Sequence, residues 1–134
     1  MAAMKAHTEH PVVQEQGCWA LCNLVADRIM GNNVRIAIVD MGGIVSVLAA
    51  MKTHTEHAVV QEQGCRALCN LTNNEATAIA DVGVIVSVLA AMKTHEESSH
   101  VQEQGCMVLC NLANNDVNNT AIAAAGGIPV VLAA

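Results

Sequence analysis

Apolar positions along this chain fall into helical stretches separated by short polar connectors, and no segment shows the two-residue alternation of a half-buried strand. The stretch from Asn73 to Asn114 shows the pattern best. Glu75 to Val82 predicts a short helix stopped by Gly83, and Val84 to His95 predicts a second, strongly apolar helix. Lys93 near the end of that helix suits the negative pole of its dipole. Glu96 to His100 is a polar connector whose Glu and Ser residues suit a helix start. A longer third helix is expected from about Ser99 to Leu112. Asn114 and Asn115 should end it, since asparagine tolerates the left-handed backbone found there. At the junction of first and second helix, Gly42-Gly43 and Gly126-Gly127 predict a sharp corner, which glycine alone makes easily. Pro129 follows at a helix start, where its missing N–H is tolerated.

This three-helix pattern recurs. Val13 to Leu24 returns almost unchanged as Val60 to Leu71 and as Val101 to Leu112, with Trp19 replaced by Arg66 and Met107. Such self-similarity predicts a stacked-repeat architecture in which each unit buries its apolar face against its neighbours. Residues 1–134 then form a single array. It comprises a partial repeat over about 1–31, repeats over about 32–73 and 74–114, and a partial repeat over about 115–134. The step from Cys18 to Cys65 is 47 positions, against 41 from Cys65 to Cys106. The surplus falls in Val25 to Asn33, as a bulged loop or a helix extension.

Laid out at 100° per residue, the third helix divides into faces. Val13, Gly17, Cys18, Ala20, Leu21, Cys22 and Leu24 fill an apolar arc wider than a surface helix shows, which predicts packing on two sides. Gln16, Trp19 and Asn23 cluster on the remaining face at spacings of three and four, with Glu15 at its edge.

Composition narrows the function classes. Trp19 is the sole aromatic residue, so the core must be aliphatic. Twelve acidic against six basic residues give a net charge of −6, which argues against nucleic acid as partner. The apolar runs are short for a membrane span, and the first residues lack the apolar stretch of a signal peptide. The six cysteines lie inside predicted helices, which points to a reducing cytoplasmic or nuclear compartment. The pairs Cys18/Cys22, Cys65/Cys69 and Cys106/Cys110 are expected to be buried free thiols acting as small hydrophobes, with no metal site. His7-Thr8-Glu9-His10 recurs as His54-Thr55-Glu56-His57. Stacking would align these imidazoles along one edge, either as a metal- or pH-sensing ladder or simply as a polar connector, and the degraded third copy favours the connector. No catalytic set, phosphate loop or cofactor motif is present at usable spacing, so no enzymatic activity is expected.

Two motifs carry a family resemblance. Ala125-Gly126-Gly127-Ile128-Pro129-Val130-Val131-Leu132 resembles the first-to-second helix junction of armadillo repeats. Gln16 to Leu24 resembles their third helix, including the Trp-x-x-x-Asn pair of importin-alpha-type repeats. The resemblance implies an all-α, right-handed α-solenoid of three-helix repeats whose third helices line a concave groove for extended peptides. Carried over position by position, the asparagine ladder is Asn23, Asn70 and Asn111, and the slot residues are Trp19, Arg66 and Met107. Gln16, Gln63 and Gln104 lie one turn away. An asparagine amide offers a peptide both donor and acceptor, and an indole face attracts cations. Arg66 departs from the importin-alpha pattern and would repel a basic ligand, which leaves the charge of the ligand open. The alternative is a structural self-assembling module with no peptide ligand. The apolar ends of the array, where solenoids carry polar caps, mean either that the chain is a fragment of a longer array or that the ends pair between molecules, and homo-oligomers through these ends are the favoured expectation.

Overall fold

The computed structural model describes residues 2–26, 31–72, 82–114 and 116–134. Among them the chain is all-helical: α1 (Ala2–Ala6), α2 (Pro11–Leu24), α3 (Gly31–Asp40), α4 (Gly43–Thr53), α5 (Ala58–Thr72), α6 (Val82–Thr94), α7 (Ser99–Leu112), α8 (Asp116–Ala124) and α9 (Gly127–Ala133). They build an α-solenoid of two rows. The long helices α2, α5 and α7 stand side by side with α5 in the middle, α1, α4 and α6 form a second row against them, and α9 continues that row beside α6. The predicted short helix over 75–82 falls outside the described residues except for Val82, which opens α6. Most of the 25–33 surplus is equally outside; α2 stops at Leu24, and α3 begins at Gly31.

Local chemistry explains the corners and ends. Gly42 and Gly126 are the only described residues with positive φ, at 85° and 82°. The second glycine of each pair is needed for space. A β-carbon on Gly43 would lie 2.8 Å from the Ile38 carbonyl oxygen, and one on Gly127 would lie 2.8 Å from that of Ile122. Ser98 caps α7, its Oγ accepting from the Val101 N–H at 3.3 Å. The far end of α7 departs from expectation. Asn114 does not adopt the left-handed backbone; its Nδ2 donates to the Asn111 carbonyl at 3.4 Å instead.

Three crossings of second and third helix use one device. A β-carbon on Gly17, Gly64 or Gly105 would come within 2.6 Å of Met4, Met51 or Met92 respectively. The missing side chain lets each methionine lie flat against the glycine, and Met51 and Met92 are 2% and 1% exposed. Above each crossing a glutamine bridges two carbonyls at the C-terminal end of the second helix, which have no partner within their helix. Gln61 Nε2 donates to Met51 O at 2.9 Å and His54 O at 2.8 Å. Gln14 does the same to Met4 O and His7 O, and Gln102 to Met92 O and His95 O.

Neighbouring repeats are also tied through their connectors. His54 Nε2 donates to Thr8 O at 2.7 Å, and His95 Nε2 to Thr55 O at 2.8 Å. The carbonyl can only accept, so the ring nitrogen facing it carries the proton. His54 and His95 are therefore inter-repeat links, and among the described residues no three His, Cys, Asp or Glu side chains converge to hold a metal.

The wide apolar arc of the third helix is filled on both sides only in α5. There Ala67 and Leu71 are wholly buried, whereas their counterparts on α2, Ala20 and Leu24, are exposed. The cause is position: α5 lies between two long helices, and α2 has one on a single side.

Candidate functional site

Because α2, α5 and α7 stand in a row, Gln16, Trp19 and Asn23, Gln63, Arg66 and Asn70, and Gln104, Met107 and Asn111 occupy equivalent positions on three adjacent helices. Gln16, Trp19, Asn23, Arg66 and Met107 are exposed, and Gln63, Asn70, Gln104 and Asn111 are half-buried. Trp19 and Met107 leave 47% and 46% of their surface in water, a large apolar exposure for residues flanked by polar side chains.

The first two helices of the row enclose a cleft of about 290 Å³ lined by Glu15, Gln16, Trp19, Gln63 and Arg66. Gln63 Oε1 is buried at its edge with no hydrogen-bond partner. A buried acceptor without a donor is unfavourable by roughly 1–3 kcal/mol, and an incoming N–H or O–H would relieve it. The cleft holds one carboxylate, Glu15, and one guanidinium, Arg66, so its own charges cancel.

The asparagines are unequal. Asn111 Nδ2 donates to the Cys69 carbonyl at 3.0 Å and approaches its Sγ at 3.5 Å, which ties α7 to α5 and leaves Oδ1 as the group to offer outward. The backbone carbonyl of Asn70 accepts from Arg35 Nε at 2.6 Å. Arg35 is only 7% exposed and joins α3 to the end of α5. Sequence reasoning passed over Arg35; the available signal was a lone cation inside the apolar run Val34 to Val39. It also read past Gln14, Gln61 and Gln102, whose carbonyl bridges fix where the third helix meets the second.

The cysteines follow burial. All six are free thiols; Cys18, Cys22, Cys65 and Cys69 are buried, Cys106 is half-buried and Cys110 is exposed. The exposure of Cys110 departs from the expectation of six buried thiols, because among the described residues no long helix packs on that side of α7. Loss of hydration pushes the Cys18 and Cys65 thiols up from 9.0 to about 12, neighbouring thiols adding to the effect. Burial likewise lifts Cys22 to about 11, against a smaller opposing pull from Arg66. A raised thiol pKa means that the folded state holds its proton after the unfolded chain has released it. Stability is then fully present below about pH 9 and falls as pH rises towards about 12. Urea midpoints should decline through that window. In dilute solution, peptide mapping after alkylation should find Cys110 modified first and Cys18 and Cys65 only on unfolding. Equal labelling of all three would contradict the burial described here.

In comparisons with known proteins, a family model described as LRRK2 ARM repeat matches residues 28–126. No curated protein and no solved structure matches the chain. The matched stretch contains the α5 and α7 positions of the row, while Gln16, Trp19 and Asn23 precede it.

Proposed function

The chain belongs to the LRRK2 ARM repeat family, an armadillo-type repeat family, and from that premise we propose that it is a scaffold for protein interaction that holds an extended segment of another protein across α2, α5 and α7. Adjacent helices pack about 8–10 Å apart, and an extended chain advances about 3.3–3.6 Å per residue. Each row of the site therefore meets about three residues, and the three rows meet roughly nine. The observation that supports the reading best is the unpartnered, buried Gln63 Oε1 beside the exposed indole of Trp19, in a cleft open to a ligand. A peptide N–H satisfies that oxygen whatever the sequence of the ligand. Trp19, Arg66 and Met107, the positions that vary from helix to helix, then read its side chains.

The chain supplies its own reporter. Trp19 is its only aromatic residue, so intrinsic emission comes from the cleft alone. Titration with pooled nine-residue extended peptides, in acidic and basic sets, is expected to shift Trp19 emission saturably for one set. Arg66→Ala and Gln63→Ala should each weaken that binding by about tenfold or more, as hot-spot truncations do. If neither pool moves the emission, or if both variants bind like the parent, the row is not a peptide site.

A further inference from the structure

The second row carries a groove that shares no residue with the peptide site. It lies between α4 and α6 and encloses about 430 Å³ over a floor of Met51, Gln61 and Ala91, all buried. A volume of that size is ordinary for a small-molecule site. Its walls are apolar: Leu48 and Ala49 on α4, and Val86 and Ala90 on α6. Val86 leaves 52% of its surface in water, on a helix whose Val84, Ile85 and Val88 are buried. Ala49 and Ala90 are exposed, and their short side chains keep the groove open.

The polar groups of the wall are gathered and not scattered. Ser87 sits partway along, but Lys52 in the last turn of α4, Thr55 just beyond it and Thr94 at the end of α6 share one end. Gly83, at the start of α6, belongs to the other end. Between Gly83 and Thr94 the helix rises about 16 Å. The groove is thus amphipathic along its length, polar at one end and apolar for the remainder.

Charge decides what suits the polar end. Among the described residues that line the groove, Lys52 is the one cation and none is acidic. The carbonyls at that end of α4 do not need the ammonium, because Met51 O and His54 O accept from Gln61 Nε2 at 2.9 and 2.8 Å. The corresponding groove between α6 and α9 differs. There Lys93 shares the lining with Glu96, which stands where Thr55 stands here, so its charges cancel.

We propose that the α4–α6 groove binds a single-chain anionic amphiphile of the fatty-acid class, its carboxylate at Lys52 and its tail along Leu48, Ala90 and Val86. The ammonium and the hydroxyls of Thr55 and Thr94 are donors for the two carboxylate oxygens. One ammonium matches a singly charged carboxylate and would leave a doubly charged phosphate unbalanced. The length of the groove holds a chain of roughly ten to twelve carbons. Binding here is independent of peptide binding on α2, α5 and α7.

The test is calorimetric titration of the whole chain with decanoate below its micelle concentration, beside octanoate and the neutral decan-1-ol. Decanoate should bind saturably at one per chain, and octanoate, two methylenes shorter, about tenfold more weakly. Lys52→Met should weaken decanoate about three- to fivefold and leave decan-1-ol unchanged, because only the charge pair is lost. Ala90→Leu fills the groove and should weaken both by tenfold or more. Both sites are exposed and both new residues are good helix formers, so circular dichroism should show folded variants. Trp19 emission should not respond. Absence of saturable binding, an affinity indifferent to chain length, or Ala90→Leu binding like the parent would overturn the proposal. So would a loss on Arg66→Ala in place of Lys52→Met, which would move the ligand to the other cleft. Binding only to phosphatidylcholine–phosphatidylserine vesicles, and not to the monomeric acid, would replace the groove with a membrane surface.

Discussion

Gly64→Val is expected to destabilise the folded protein by roughly 3 kcal/mol, about a hundredfold in its folding equilibrium. A β-carbon at Gly64 would lie 2.6 Å from Met51 Cγ and 2.7 Å from Sδ. Cγ sits near the root of the side chain, so Met51 cannot swing its tip aside and keep its place. It is 2% exposed, and relief requires moving α4 away from α5. Glycine is a poor helix former, and replacing it returns up to about 1 kcal/mol, less for a β-branched residue. Overpacking, typically about 1–3 kcal/mol and occasionally more, is the larger effect. Gly64→Ala should therefore be milder, at about 1–2 kcal/mol. The decisive measurement is a double-mutant cycle from urea midpoints. In a Met51→Ala background the Gly64→Val penalty should largely vanish, because the obstructing atoms are gone. Additive penalties would mean that the crossing is not what the glycine serves.

Gln61→Met should be almost as damaging, although it keeps the volume of the side chain. Gln61 is 2% exposed and its amide is the donor to Met51 O and His54 O. Methionine leaves the Met51 carbonyl facing an apolar group, at roughly 1–3 kcal/mol, while the His54 carbonyl keeps the His57 N–H at 3.1 Å, so a loss of about 2 kcal/mol is expected. Gln61→Glu adds a pH signature. A carboxylate at that position would face two acceptors and donate to neither; only the protonated acid can supply one bond. Folding therefore raises the proton affinity of the new side chain. The sign follows from linkage: the stability it contributes is present below the ordinary glutamate value of about 4.3 and is lost as pH rises through the higher folded-state value. Compared with the parent in thermal melts, Gln61→Glu should be poorest at neutral pH and partly recover on acidification. A deficit that does not vary with pH would refute the bridging role.

Much of the architecture is legible in the sequence because a stacked repeat reuses its contacts. The recurrence of Val13 to Leu24 makes the third helices and their order evident, and the glycine pairs mark the corners where Gly42 and Gly126 take positive φ. What the sequence hides is which copy of a residue has a neighbour. Ala20 and Ala67 are identical in type and in local context, yet one is exposed and the other wholly buried, since burial depends on the adjacent helix. Cys110 differs from Cys69 for the same reason. Hydrogen-bond destinations are hidden too. In the Gln-Glu-Gln run the first glutamine bridges backbone carbonyls and the second faces the exposed row, and nothing in the composition separates them. The equivalence of Gln16, Trp19 and Asn23 with their later counterparts was readable from spacing alone. That Asn111 has already committed its amide to Cys69 was not, because the partner is 42 positions away.

The address of each link suggests how such a molecule changes size. Gln61 binds carbonyls seven and ten positions behind it, inside its own unit. His54 and His95 reach back one whole unit, to Thr8 and Thr55. Duplicating an entire unit in the gene would therefore give every new donor an acceptor and every displaced acceptor a new donor, with no compensating mutation. A cut or insertion of half a unit would strand both. Under that grammar the length of the array is free to drift in evolution while its period is held, and a longer rod is one recombination event away.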